Sequence, residues 1–233
     1  MPSVPFRLAM DHVPAPISSP FARSCDRGAC KLGRATGRTE TMTATPVEKR
    51  CSWCLGDALY EAYHDEEWGV PCRDETALFE MLCLEGAQAG LSWITILKKR
   101  ENYRRLFAGF DKHKIARFNK AKVDKLVLDP GIVRHRQEVE AFIHNAKVAV
   151  QIEASGESLT EVLWSFVGGV TVVNAWASMS DVPAVTPAST AMSKDLKKRG
   201  FKFVGPTTCY AFMQASGMVN DHLLGCPSRA PTA

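Results

Sequence analysis

The sequence has no run approaching the roughly 20 consecutive apolar residues that a membrane-spanning helix needs. Its start also lacks the basic flank and apolar core of a secretory signal. Both absences argue against a membrane partner and make the cytoplasm the expected location. A disulfide rhythm is missing as well: the eight cysteines, at positions 25, 30, 51, 54, 72, 83, 209 and 226, are scattered through a chain long enough to fold without staples. Reduced thiols are therefore expected. Cys51-Ser-Trp-Cys54 has the spacing of a redox motif, but the βαβ surroundings of a thioredoxin-like site are absent. Internal repeats are lacking, and Val170–Val173 is the only β-branched run.

Excess charge is absent where it would matter. The formal charge is +4, yet eight of the 29 Lys and Arg and four of the 25 Asp and Glu fall in residues 1–50, leaving 21 of each sign in the remainder. Any affinity for nucleic acid must come from a local patch rather than from bulk charge. The basic clusters at 98–105, 112–125, 134–136 and 194–202 are candidates, with a solvated surface as the commoner explanation.

With 233 residues, 45% of them apolar, the chain can bury one core, or a core with a small satellite. Residues 1–46 are rich in Pro, Ser, Ala, Thr and Arg without an apolar period, the composition of a segment unable to offset its ordering entropy. They are read as a disordered extension, with an over-extended start before Met42 or a targeting piece as alternatives, and residues 47–233 as one folded domain. The pattern after Asp74 is helical to Gly86. Further helices are expected over Ser92–Phe107, after Asp111, near Lys122–Leu128, and over Arg134–Val150, Leu159–Phe166, Thr190–Arg199 and Thr207–Ser216. The fold class is all-α, in two lobes about a cleft, and a monomer is expected.

Four candidate ligands lie at the two ends of this domain: Cys51 and His64, then His222 and Cys226 at helical spacing. A Cys2His2 set suits tetrahedral zinc, which would clip the chain closed and leave no open position for a catalytic water. Around the first pair crowd Trp53, Tyr60, Tyr63 and Trp68, with Trp93 further on. Glu85 falls on the apolar face of Leu78, Met81 and Leu82, where a carboxylate must be paired or protonated. Its two readings are a structural carboxylate and one awaiting a cationic or donor-bearing ligand. Aromatics around one carboxylate favour a flat, positively charged molecule. Leu128-Asp129-Pro130-Gly131-Ile132-Val133-Arg134-His135-Arg136, between two expected helices, has the look of a DNA-binding hairpin in which glycine admits a phosphate to backbone amides.

These residues together resemble the DNA-3-methyladenine glycosylase I family of the helix-hairpin-helix glycosylase superfamily. The matching strings are Tyr63 to Pro71 (YHDEEWGVP), Leu82 to Lys99 (LCLEGAQAGLSWITILKK), Gly131 to Arg136, Trp164-Ser165-Phe166 and Leu196 to Gly205 (LKKRGFKFVG); the resemblance covers Cys51 to Cys226. It implies a helix-hairpin-helix glycosylase fold that hydrolyses the N-glycosyl bond of 3-methyladenine in damaged double-stranded DNA. It implies a structural zinc on Cys51, His64, His222 and Cys226. Glu85 and Tyr63 would recognise the base edge, Trp53, Tyr60 and Trp93 would wall the pocket, and Trp68 would support them. The loop Gln88-Ala89-Gly90-Leu91 would enter the gap left by a flipped nucleotide, with Gly131 and Arg134 also on DNA.

The catalytic Asp that many superfamily relatives carry about twenty residues past the hairpin has no counterpart in Val148–Ile152, and Arg134 and His135 stand where a lyase has Lys. A monofunctional enzyme is expected. Two further classes stay in view: a zinc-containing damaged-DNA-binding protein without catalysis, and a hydrolase with Cys83 or Ser92 as nucleophile, which lacks a neighbouring His or a strand-turn-helix elbow.

Overall fold

Short polar side chains start most of the helices. In the computed structural model, which describes residues 50–88 and 90–229, α1 (Ala58–Glu66) begins where the Asp57 carboxylate accepts the N–H groups of Leu59 and Tyr60. α2 (Glu75–Ala87) is capped by Asp74, which accepts from Ala77 at 2.8 Å. After α3 (Trp93–Leu97) and α4 (Arg100–Leu106), Asp111 caps α5 (Lys112–Ile115) and Asn119 caps α6 (Lys120–Leu126). The 19-residue α7 (Arg136–Ala154) is followed by α8 (Leu159–Trp164), capped by Ser158. Thr186 and Ser189 form a reciprocal capping box for α9 (Pro187–Arg199), and α10 (Pro206–Ala215) opens on proline. Each such cap satisfies N–H groups that the first turn leaves unpaired. The extension expected over residues 1–46 lies outside the described residues.

The architecture is mostly helical. α2 is its axis: it packs against α7, α8 and α10, and α9 lies against α10. The β-branched run contributes β1 (Val172–Val173), which pairs in parallel with β2 (Val219–Asn220), Val172 opposite Val219. This two-stranded ladder holds the last segment of the domain, with His222 and Cys226, against the body.

Three expectations are corrected. The helix expected over Ser92–Phe107 is two helices, because Lys99 donates its N–H to Ile96, only three residues back, while its Nζ reaches the Pro130 carbonyl and Arg100 turns inward to Glu80. These tertiary partners override the local helical pattern. The helix expected at Arg134 begins at Arg136. Nor does α2 have one apolar face: all ten residues from Leu78 to Ala87 are buried, including Glu80 as well as Glu85. Glu80 is matched by Arg100 at 2.6 Å and Arg104 at 2.8 Å. α1 was not expected from the sequence: it lacks a clear apolar period, and its local signal is the capping residue Asp57.

One glycine fixes how the site's two halves meet. Gly217, at φ +67°, follows α10, and a Cβ there would lie 2.2 Å from the Val70 carbonyl carbon and 2.3 Å from Pro71 N. Backbone cannot yield as a side chain would. Gly217→Ala is expected to cost roughly 3 kcal/mol or more, measured as a lower urea midpoint with unchanged slope; an unmoved midpoint would show that the Val70–Pro71 segment is free to shift.

Candidate active site and metal centre

Cys51, His64, His222 and Cys226 are brought together, all buried, with one ligand atom from each lying within 4.8 Å of the others. Cys226 Sγ is 3.5 Å from His222 Nδ1 and 3.6 Å from His64 Nε2; Cys51 Sγ is 3.9 Å from His222 Nδ1. The outer nitrogens of both rings face groups that only accept: His64 Nδ1 meets the Asp65 carboxylate at 2.8 Å, and His222 Nε2 meets the Trp68 carbonyl at 2.9 Å. Each ring therefore donates outward, leaving His64 Nε2 and His222 Nδ1 as bare lone pairs 3.1 Å apart. Burial lowers the pKa of His222 to about 4 and raises that of the Cys51 thiol to about 12. Among the described residues, the only groups facing these two lone pairs are the Cys51 and Cys226 sulfurs, and one cation in place of the thiol protons would bind both nitrogens and both sulfurs. The donor set fits a metal ion, with outer partners that aim the ligands.

This cluster buttresses an aromatic wall. Trp68 lies 4.7 Å from the His222 ring, Trp53 lies 5.0 Å from Trp68, and Tyr60 lies 4.8 Å from Trp53, each pair edge-on. Gly69, at φ +79°, permits the approach, since a Cβ would meet the His222 ring at 3.1 Å. Tyr63 and Trp93 continue the wall at 5.6 Å from each other.

In front of the wall is a cavity of about 310 Å³, lined by Trp53, Tyr60, Tyr63, Trp68, Glu85, Trp93 and Gln88 on one side. All six pocket residues expected from sequence meet here. The opposite side was not foreseen: Met179, Val182, Pro183 and Ala184 come from the segment before α9, and Thr207, Tyr210, Ala211 and Gln214 from α10. Tyr210 was the one aromatic in that set, but nothing local tied it to a pocket over a hundred residues away.

The cavity's polarity is unusual. Glu85, only 7% exposed, has no hydrogen-bond or ion-pair partner among the described residues, and burial raises its pKa to about 8. Tyr63 is pushed well above its ordinary range, first by burial and then by the nearby Glu85. The indole N–H groups of Trp53 and Trp93 are buried without a partner. A carboxylate that opens on a cavity without a protein partner is expected where a ligand supplies the missing bond, while the two indole N–H groups lie beneath the cavity surface.

Gln88 lines the cavity, and beyond it Gly90, at φ +76°, and Leu91, 40% exposed, form the turn after α2. Gly131 lies in the turn between α6 and α7. Its N–H is already donated to Asp129 at 2.8 Å, and a Cβ would press on Asn102 at 2.9 Å, so close packing accounts for the glycine. Arg134 is exposed and makes no ion pair among the described residues. The 98–105 cluster, by contrast, is largely spent on Asp57, Glu67, Glu80, Glu101 and Asp129. Among the described residues, Arg134 and Arg117 are arginines without an ion pair, whereas most cations of that cluster have one.

Residues 53–230 match the family described as methyladenine glycosylase. The chain is 56% identical over 178 residues to DNA-3-methyladenine glycosylase 1 of Escherichia coli (strain K12), covering 76% of this chain and 95% of that protein. It is 49% identical over 180 residues to the DNA-3-methyladenine glycosylase of Haemophilus influenzae, covering 77% and 97%. Its backbone also resembles that of 3-methyladenine DNA glycosylase I from Staphylococcus aureus, a structure concerned with 3-methyladenine recognition, with a TM-score of 0.77, 40% identity, and coverage of 80% of this chain and 100% of that one.

Proposed function

This chain belongs to the methyladenine glycosylase family, and from that premise we propose that it hydrolyses the N-glycosyl bond of 3-methyladenine in alkylated DNA, releasing the base and leaving an abasic site. The observation that carries the reading is Glu85: a buried, unpartnered carboxylate inside a cavity walled by Trp53, Tyr60, Tyr63 and Trp93. Methylation at N3 makes adenine cationic and a good leaving group. The pocket therefore has little acid catalysis to supply and can act mainly by holding charge. The nucleotide must first leave the stack, and a damaged, weakly stacked base does so at least cost. Within the cavity, aromatic faces stack on the base and attract its charge, while Glu85 and Tyr63 bond its edge. Trp68 supports Trp53 from behind.

Gln88, Gly90 and Leu91 would occupy the gap in the duplex, and the α6–α7 turn with Gly131 and Arg134 would lie on the backbone as in a helix-hairpin-helix unit. The nucleophile is water attacking the sugar cation. Arg134 and His135, rather than a Lys, stand just after the hairpin, which supports a monofunctional enzyme: borohydride should trap no covalent DNA adduct and no strand should be nicked, whereas a trapped adduct would require an amine nucleophile.

The ion held by Cys51, His64, His222 and Cys226 is proposed to be zinc. A tetrahedral zinc would need N–N and N–S edges of about 3.3–3.6 Å; the His64, His222 and Cys226 atoms lie 3.1–3.6 Å apart, and Cys51 Sγ, 3.9 Å from His222 Nδ1, would draw in by a few tenths of an ångström. When bound, zinc supplies cross-linking rather than catalysis, because four protein ligands close its coordination.

The test is release of free bases from methylated duplex DNA by the purified protein, resolved chromatographically. Release of 3-methyladenine supports the proposal. DNA binding without release of any base would leave a damage-binding protein. Cys83→Ala should release base at the wild-type rate; loss of activity there would revive the thiol reading.

A further inference from the structure

Asp221 is fully buried, yet no cation is paired with it among the described residues. Its carboxylate is surrounded by four neutral donors: Asn174 Nδ2 at 2.7 Å, Trp176 Nε1 at 2.8 Å, Tyr210 Oη at 2.5 Å and Gln214 Nε2 at 2.7 Å. Four donors use the carboxylate's full accepting capacity, which neither an amide nor a protonated acid offers. Two of the donors, Tyr210 and Gln214, line the cavity; the other two lie at the start of the segment that carries Met179 to Ala184 into it. The next residue is the metal ligand His222.

This arrangement fixes what the second wall can offer. Gln214 spends its amide nitrogen on Asp221, so the orientation of its side chain is set by that bond rather than left free to flip. Its Oε1 has no partner among the described residues and remains for the cavity. Tyr210 likewise spends its only proton on Asp221, leaving its lone pairs. Without Asp221 both groups could present donors instead. With it, Gln214 Oε1 and the Tyr210 oxygen face the cavity as acceptors, beside the Thr207 hydroxyl, which can donate or accept, and opposite Glu85.

We propose that Asp221 is a positioning residue that sets Gln214 and Tyr210 as hydrogen-bond acceptors, making the second wall selective for a base whose edge carries donors and positive charge, such as the exocyclic amine of an alkylated adenine cation. The proposal rests on the excision reading for the identity of the ligand. Asp221 itself does not touch the base, and Gln214 is the contact through which it acts.

The experiment is a double-mutant cycle with Asp221→Asn and Gln214→Met, measuring the Kd for free 3-methyladenine and for adenine at a mildly acidic pH that protonates 3-methyladenine to its cation but leaves adenine neutral, with zinc content and Tm determined on the same samples. Asp221→Asn must turn an amide NH2 toward one of the donors, and Gln214→Met keeps the volume while removing the acceptor. Each is expected to weaken 3-methyladenine binding about tenfold and adenine binding much less, with zinc content retained. The double variant should bind no more weakly than Asp221→Asn alone, because both changes break one chain of bonds. Multiplying losses, or equal losses for the two bases, would overturn the proposal. If Asp221→Asn loses zinc or fails to fold, Gln214→Met alone decides: wild-type discrimination by that variant would overturn it. Absence of 3-methyladenine binding in the wild-type protein would instead count against the excision reading.

Discussion

Glu85→Gln is expected to melt at a higher temperature than the wild-type protein while releasing little or no 3-methyladenine. Burial raises the pKa of the Glu85 carboxyl from its ordinary value near 4.5 to about 8. Between those values the folded state holds a proton that the unfolded state has lost, so stability falls as pH rises through this window. Above pH 8 the folded protein carries the full cost of a buried, unpaired carboxylate, on the order of several kcal/mol. Glutamine has nearly the same shape and no such cost. The difference in Tm between the two proteins should therefore be small near pH 5 and grow to pH 9. An equal Tm across that range would mean that Glu85 is solvated or paired in solution.

Catalysis should show the opposite sign. A cationic base is complemented by the anion, so kcat/KM for wild type should rise with pH and level off above about 8, with no such rise in Glu85→Gln. Loss of one preorganised charge in an excluded site commonly costs about a hundredfold or more in rate. DNA binding should survive, since Glu85 lies behind the cavity rather than on the surface. Wild-type excision by the glutamine variant would remove the proposed role outright. Stability would here be traded for a charge placed where the substrate needs it.

Loss of the metal is the second large effect expected. In Cys226→Ala the zinc content should fall from about one per chain to none. The two inward-facing imidazole nitrogens, 3.1 Å apart, would then lack their shared partner. The cost should be about 3 kcal/mol or more, as for other buried polar groups left unmatched, or roughly 10 °C in Tm for a chain of this size. Excision should fall with it, because Trp68 and through it Trp53 are held by the His222 ring. A purified wild-type protein free of zinc, with full activity and an unaltered melting curve on adding the metal, would dispose of this assignment.

How legible these features were depended on how local their causes are. Asp74 as a cap, the apolar run of α2 and the Pro-Gly break before α7 are short-range signals, and the helices they announce are present. The ligand set was also readable, because Cys and His at the two ends are few and chemically distinct, and the structure gathers all four. The fracture of Ser92–Phe107 was not readable: it arises from Lys99 reaching Pro130 and Arg100 reaching Glu80, partners no local window contains. The supposed single face of α2 failed for a related reason. A helix packed on every side shows no amphipathic period, and its polar residues do not mark a solvent face.

The sequence by itself determined the helical class, the four Cys and His that could hold a metal, the aromatic crowding and the conspicuous Glu85. These follow from residue chemistry and from spacings of a few positions. Tertiary structure decided which groups were left unsatisfied and which were already used. It spent the 98–105 cations on internal carboxylates, donated the Gly131 amide to Asp129, and left Glu85 and two indole N–H groups unpaired. It also set Asp221 beneath Gln214 and Tyr210, closing a pocket whose first wall ends at Trp93 and whose second begins only at Met179. Hydrogen-bonding capacity is a property of a residue type, but whether that capacity remains free is settled only when distant segments pack together.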